Sequence, residues 1–268
     1  MPPTLPSLFL SHGAPDLLLS AGPAVELLRT LAARLPRPRA ILVCSAHWIE
    51  DPVGITGGGE LPTIHDFGGF PAVLYAERYP ASGDAELSAR IGGLLDDAGI
   101  GHRLHQHRGL DHGAWVPLKL MYPAADLPVA QVSLPAGDLA ACARLGAALA
   151  PLRQDGVLVI GSGGSVHNLR AIRRDGPPDD WAVAFEDWLK ETIEGNDFDR
   201  LLGADADHPP QLRQAHPTLE HLAPLVVAWA AGGQDRPGRR FASGFTYGNL
   251  GMSCYTFGEP EGFPVQAP

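Results

Sequence analysis

Three of the eleven histidines in this 268-residue chain occupy equivalent places. His12 follows the run SLFLS, His47 follows ILVCSA, and His167 follows VLVIGSGGSV. Each run has the composition of a buried core strand, so each imidazole lies at or just past a strand's carboxyl end. An imidazole there can ligate a metal or move a proton near neutral pH. If the strands are parallel, their carboxyl ends share one edge of the sheet, where open α/β sheets bind ligands. Three rings remote in sequence would then converge on one cation. Their small neighbours (Ser11, Gly13, Ser45, Ala46, Gly163, Gly164, Ser165) permit close approach. A single histidine after a strand is more often a loop residue bonded to a backbone carbonyl. None of the spacings is a compact zinc signature such as His-Glu-x-x-His. It is the joint placement of three that favours a site.

His221, in HPTLEHLAPL, is a fourth candidate. With Thr218 as N-cap of a helix from residue 219, His221 falls in its first turn, where the helix dipole favours the neutral ring that a metal needs. His216, before Pro217, reads as a loop residue. Two further segments read as pocket walls. PTIHDFGGFP (residues 62–71) puts His65, Asp66 and two phenylalanines in a glycine-rich loop suited to a flat aromatic ligand. GLDHGAWVPL (residues 109–118) places His112 between Asp111 and Gly113, although adjacent side chains usually point apart. His102, His105 and His107 alternate like an exposed strand, and His208 carries no signal. GSGGSVHN could cradle an anion. It lacks the Gly-Lys-[Ser/Thr] ending of a P-loop and the Gly-x-Ser-x-Gly order of a hydrolase elbow.

The elements that must position these residues alternate in type. Strands are expected at residues 7–10, 40–45, 53–56, 129–134, 157–160, 241–247 and 252–257. Helices are expected at 24–35, 84–98, 139–152, 181–194 and 219–231. Such alternation predicts an α/β fold: a central mixed, largely parallel sheet flanked by helices on both faces. The last two strands, near a turn at Gly248-Asn249, are expected to form an antiparallel edge. With no repeat and no dividing linker, residues 1–268 are read as one domain.

Composition excludes other classes. The formal net charge is −10, which disfavours a nucleic-acid partner; the basic cluster RAIRR reads as a solvated helix end. No apolar stretch approaches the ~20 residues that span a bilayer, and the start lacks the features of a secretory signal. Cys44, Cys142 and Cys254 are scattered among apolar neighbours and read as buried thiols of a reducing compartment. A cytoplasmic protein is the expectation.

SHGAP, SAHW, PTIHDFGGFP, DHGAWVPL, GSGGSVHNLR and HPTLEHLAPL run in this order from residue 11 to residue 225. Together they resemble the DOPA 4,5-dioxygenase type of class III extradiol ring-cleavage enzymes, in the superfamily of the catalytic subunit of protocatechuate 4,5-dioxygenase. The resemblance implies a single α/β catalytic domain in which His12, His47 and His221 are the metal ligands. It makes His167 the acid–base catalyst, one that also touches the metal when no substrate is bound. His112 is implied as a catalytic residue lining the pocket, and His65 and Asp66 as the substrate-binding loop over it. The implied substrates are a catechol-type aromatic diol and dioxygen, and the product a muconate semialdehyde. Fe(II) is the expected catalytic metal; three imidazoles suit Zn(II) as well. A zinc hydrolase using the same histidines, or a non-catalytic metal- or aromatic-binding protein, would leave HDFGGFP and DHGAW unexplained.

Overall fold

Runs rich in Val, Leu and Ile become strands here because both faces of the sheet are covered, which lets a strand be apolar at every position. The computed structural model describes residues 3–174, 176–203 and 211–259. Among them is an eight-stranded sheet built from β1 (Ser7–Ser11), β2 (Ala40–Ile49), β3 (Val53–Thr56), β4 (His102–His105), β5 (Val129–Leu134), β6 (Val157–Gly163), β7 (Arg239–Ala242) and β8 (Cys254–Phe257). The spatial order is β4-β3-β5-β2-β6-β1-β8-β7. β5, β2, β6 and β1 are mutually parallel. β3 runs antiparallel to β5, and β8 and β7 form the antiparallel edge that was expected. The sheet is therefore mixed with a parallel centre.

Alternate strand residues feed two separate cores. Leu8, Leu10, Ile41, Val43, Leu158 and Ile160 pack with α1 (Pro23–Arg34) and α3 (His112–Met121). Phe9, Leu42, Cys44, Val157 and Val159 pack on the opposite face with α2 (Ala85–Asp97), α4 (Leu139–Leu149), α5 (Asp180–Glu194) and α6 (Ala223–Gly232). All ten residues of α6 are buried, as expected for a helix apolar all round. The three cysteines are free and buried, and burial pushes the Cys142 and Cys254 thiols up to about 12. No helix among the described residues is long and apolar enough to cross a membrane.

Several boundaries differ from expectation. β2 does not stop at Ser45 but continues through His47 to Ile49, with its pairing to β5 irregular between Cys44 and Ile49. The helix expected from residue 219 begins at Ala223. Residues 219–222 form a turn in which Leu222 N–H and Ala223 N–H both donate to the Leu219 carbonyl. Thr218 caps no helix; its hydroxyl donates to Glu220 Oε1 at 2.9 Å. The expected strand at 241–247 is divided: Phe245–Thr246 pairs with Leu250–Gly251 in a small hairpin of its own. Its turn holds Tyr247 and Gly248 at positive φ. His102 and His105 do lie on a strand, the edge strand β4, where His105 Nε2 meets Glu50 Oε1 at 2.9 Å. His208 and Asp175 lie outside the described residues.

Candidate active site

The parallel centre brings the carboxyl ends of β1, β2 and β6 to one edge, and the histidines meet there. His12 Nε2 lies 3.1 Å from His47 Nε2. One ring nitrogen from each of His12, His47 and His221 falls within 4.8 Å of the other two. His12 and His221 are buried and His47 is half-buried. The glycines of β6 explain how His221 arrives. A Cβ on Gly163 would stand 2.2 Å from the His221 carbonyl oxygen, and Gly164 N–H donates to that carbonyl at 3.0 Å. Only a bare backbone lets the turn before α6 approach the strand so closely.

A hydrogen bond fixes which nitrogen of His12 is free, and carboxylates stand beside the far nitrogens of the other two rings. The Ser162 hydroxyl donates to the Gly113 carbonyl, so its oxygen accepts from His12 Nδ1–H, 2.9 Å away. His12 Nε2 therefore carries a lone pair. His47 Nδ1 faces Asp66 Oδ2 at 3.7 Å, and His221 Nδ1 faces Glu220 Oε1 at 3.3 Å. With the N–H on Nδ1, each ring turns that N–H toward a carboxylate, and His47 Nε2 is left facing His12 Nε2. In that tautomer two lone pairs face each other across 3.1 Å, and they repel unless a proton or a cation lies between them. Two nitrogens each ~2.1 Å from one ion, at ~90–110°, stand ~3.0–3.4 Å apart. The geometry and the neutral donor set fit a divalent cation, with partners on the far nitrogens that orient the rings.

His112 opens α3. Asp111 supplies the N-cap, accepting from Ala114 N–H at 3.2 Å and from the Ser45 hydroxyl at 2.7 Å. The carboxylate that engages His112 is not the adjacent Asp111 but Asp66, whose Oδ1 accepts from both His112 Nδ1 and His112 N–H at 2.9 Å. The His112 ring centre lies 4.0 Å from that of His47. His65 Nε2 donates to the Glu77 carbonyl at 3.0 Å, and its ring packs against Phe67 and Trp115. His65 thus ties down the 62–71 loop, while Asp66 reaches from that loop to the histidines. Phe67 stands edge-on to His112, its ring centre 5.7 Å away.

His167 stacks flat on His221, with ring centres 3.3 Å apart and planes 6° apart. Its ring nitrogens group with Glu220 and His221, not with His12 and His47. His216 is the loop residue that was expected, and it is buried, its Nε2 donating to the Ser165 carbonyl at 2.9 Å.

Burial, reinforced by the neighbouring rings, pushes His12 well down and holds His47 at about 2 and His167 at about 3. Burial also lowers His221, against the pull of Glu220, and holds His216 at about 4. The helix dipole invoked for His221 is not the cause, since that residue precedes α6. For Asp66, burial raises the carboxyl, but the His112 bonds and charge outweigh it and hold it at about 2. The His221 hydrogen bond leads in holding Glu220 at about 2.

The unfolded chain protonates these histidines near 6.5, whereas the folded chain keeps them neutral to far lower pH. Stability of metal-free protein is thus full above about pH 6.5 and is lost as pH falls toward 4. Each ring that stays neutral costs about 1.4 kcal/mol per pH unit. Urea denaturation midpoints of chelated protein are expected to drop steeply across this window; a flat profile contradicts buried neutral rings.

Ser162, Gly113 and Glu220 escaped the sequence reading. Ser162 sits inside the GSGG motif read as an anion cradle, and Glu220 stands beside His221 in TLEH. The bonds that give them roles join residues far apart in sequence, or depend on a turn that was taken for helix.

The family model described as the catalytic LigB subunit of aromatic ring-opening dioxygenase matches residues 19–258. A 4,5-DOPA dioxygenase extradiol of Beta vulgaris is 38% identical over 256 residues, covering 93% of this chain and 95% of the relative. Another of that name, from Escherichia coli strain K12, is 37% identical over 260 residues, covering 95% of each. The crystal structure of an uncharacterized Escherichia coli K12 protein superposes with a TM-score of 0.79 at 32% identity, covering 94% of this chain and 99% of that one.

Proposed function

Because the chain belongs to the family of the catalytic LigB subunit of aromatic ring-opening dioxygenases, and is a metal-dependent extradiol enzyme acting on an aromatic substrate with dioxygen, we propose that it opens a catechol-type diol beside its hydroxyls to a muconate semialdehyde, with Fe(II) held by His12, His47 and His221. The observation that carries this reading is the convergence of one ring nitrogen each from His12 after β1, His47 on β2 and His221 in the turn before α6. In this reading one catalytic domain spans residues 1–268. The three buried thiols support a reducing, cytoplasmic setting.

Bound Fe(II) supplies the electron transfer that spin-paired catechol and triplet dioxygen cannot make directly, and it lowers the pKa of the diol hydroxyls. The protein's groups do the rest. His167, neutral through burial, accepts a hydroxyl proton once the negative charge of the diolate raises its basicity, and returns it as the ring opens. Its stacking on His221 keeps it beside the ligands. His112, with Nδ1–H bound to Asp66, offers Nε2 as acceptor to the substrate. Phe67 supplies a flat apolar wall, and His65 keeps the loop that carries Phe67 and Asp66 in place. Asp66 serves the substrate indirectly, by orienting His112 and His47.

Apoprotein reconstituted anaerobically with Fe(II) is expected to take up one dioxygen per catechol and form a yellow product. The Zn(II) form is expected to take up none. Absence of uptake with iron across several catechols contradicts the proposal.

A further inference from the structure

One buried carboxylate has no part in the chemistry above. Glu186, on α5, is 4% exposed, and both of its oxygens accept from serine hydroxyls. Oε1 takes a very short bond from Ser165, and Oε2 accepts from Ser253 at 2.6 Å. The Ser165 oxygen accepts from Ser253 N–H at 3.1 Å, so its own proton is directed to Glu186. Ser165 N–H donates to Ser11 Oγ at 3.1 Å, and the Ser11 hydroxyl donates to the Ser253 carbonyl at 2.7 Å. The network therefore joins the residue before His12, the residue two before His167, and the segment entering β8. Gly251 closes it, for a Cβ there would stand 2.3 Å from Glu186 Oε1 and 2.6 Å from Ser165 Oγ.

A polar plug this elaborate is costly to bury unless every group is paired, and an apolar side chain would fill the space more simply. Its members surround one segment. Residues 163–167 carry His167 and touch His221 through Gly163 and Gly164; Gly163 pairs with Ser11, Val166 forms a bridge with Gly251, and His167 N–H donates to the Ala215 carbonyl at 2.9 Å. Resting on the reading of His167 as the acid–base group, we propose that Glu186 is a positioning residue for the dioxygenase reaction. Through Ser165 it holds the 163–167 turn so that His167 lies flat on His221.

The test compares full-length, iron-loaded Glu186→Ala and Glu186→Gln with wild type. The amide carbonyl of Gln still accepts one serine hydroxyl, whereas Ala accepts none. Glu186→Ala is expected to keep its metal content and its catechol KM within about twofold, while kcat falls about 10- to 100-fold, as displaced catalytic groups do. Glu186→Gln is expected to recover most of kcat. Amide hydrogen exchange at Ser165 and His167 is expected to quicken in the Ala variant but not at 157–161. If Glu186→Ala does not fold, Ser165→Ala decides, with the same loss of kcat at unchanged metal content. Unchanged kcat in a folded variant overturns the proposal, and so does a loss that merely tracks loss of metal. If wild type itself shows no ring cleavage, the reading of the site has failed, and exchange alone then judges the clamp.

Discussion

Replacing His167 by asparagine is expected to lower kcat by about 10²- to 10⁴-fold, the usual contribution of a positioned acid–base group, while metal content stays at the wild-type level. The separation follows from geometry. One ring nitrogen each of His12, His47 and His221 lies within 4.8 Å of the other two, whereas His167 groups with Glu220 and His221 and stacks on the His221 ring. Its ring is stacked and held neutral by burial, so it takes up a proton only when the negative charge of a bound diolate raises its basicity. Metal analysis and steady-state kinetics on the same preparation check this. Loss of the metal together with the activity would make His167 a ligand and leave the proton step without a carrier.

Gly113→Ala is expected to disable the site without unfolding the protein. Gly113 is the second residue of α3 and lies against Ser45, His47 and His12. A Cβ there would stand 2.4 Å from Ser45 Oγ, 2.9 Å from His47 Cδ2 and 3.1 Å from His12 Cε1. The serine is committed to Asp111 and the rings to each other, so the rings must move apart. A shift approaching 1 Å costs about 10²-fold in rate, and metal affinity is expected to fall in parallel. Alanine is meanwhile about 1 kcal/mol better than glycine within a helix, which offsets part of the local strain. Gly93→Ala in α2, where a Cβ meets nothing within 4 Å, is the matching control: slightly more stable and fully active. Wild-type activity in Gly113→Ala would mean that the histidines are not packed as described.

The legible part of the site was the part written in strand periodicity. SLFLS, ILVCSA and VLVIGSGG announce buried strands, and their parallel pairing is what converts three strand-end histidines into neighbours. Sequence could not show that β2 runs on past Ser45, because the pairing that sustains it there is irregular. Nor could it place His221, whose turn is set by contact with Gly163 and not by a cap at Thr218. The pairing of His112 with Asp66 rather than Asp111 spans 46 residues, and Asp111 was already taken up in capping α3. Ser162 bonds to His12 and Gly113, 150 and 49 residues away, and Glu186 to Ser165 and Ser253, 21 and 67 residues away. Local pattern therefore reported the strand-end histidines, while the groups that orient them emerged only from tertiary contact.

X-ray absorption at the metal edge of Fe(II)-reconstituted protein, with His12→Ala, His47→Ala and His221→Ala measured alongside, tests the central claim most directly. One ion with three imidazole nitrogens at ~2.0–2.2 Å, falling to two in each variant, is the expected result. An ion that keeps its full imidazole shell in any of these variants, or that binds without histidine, would contradict it.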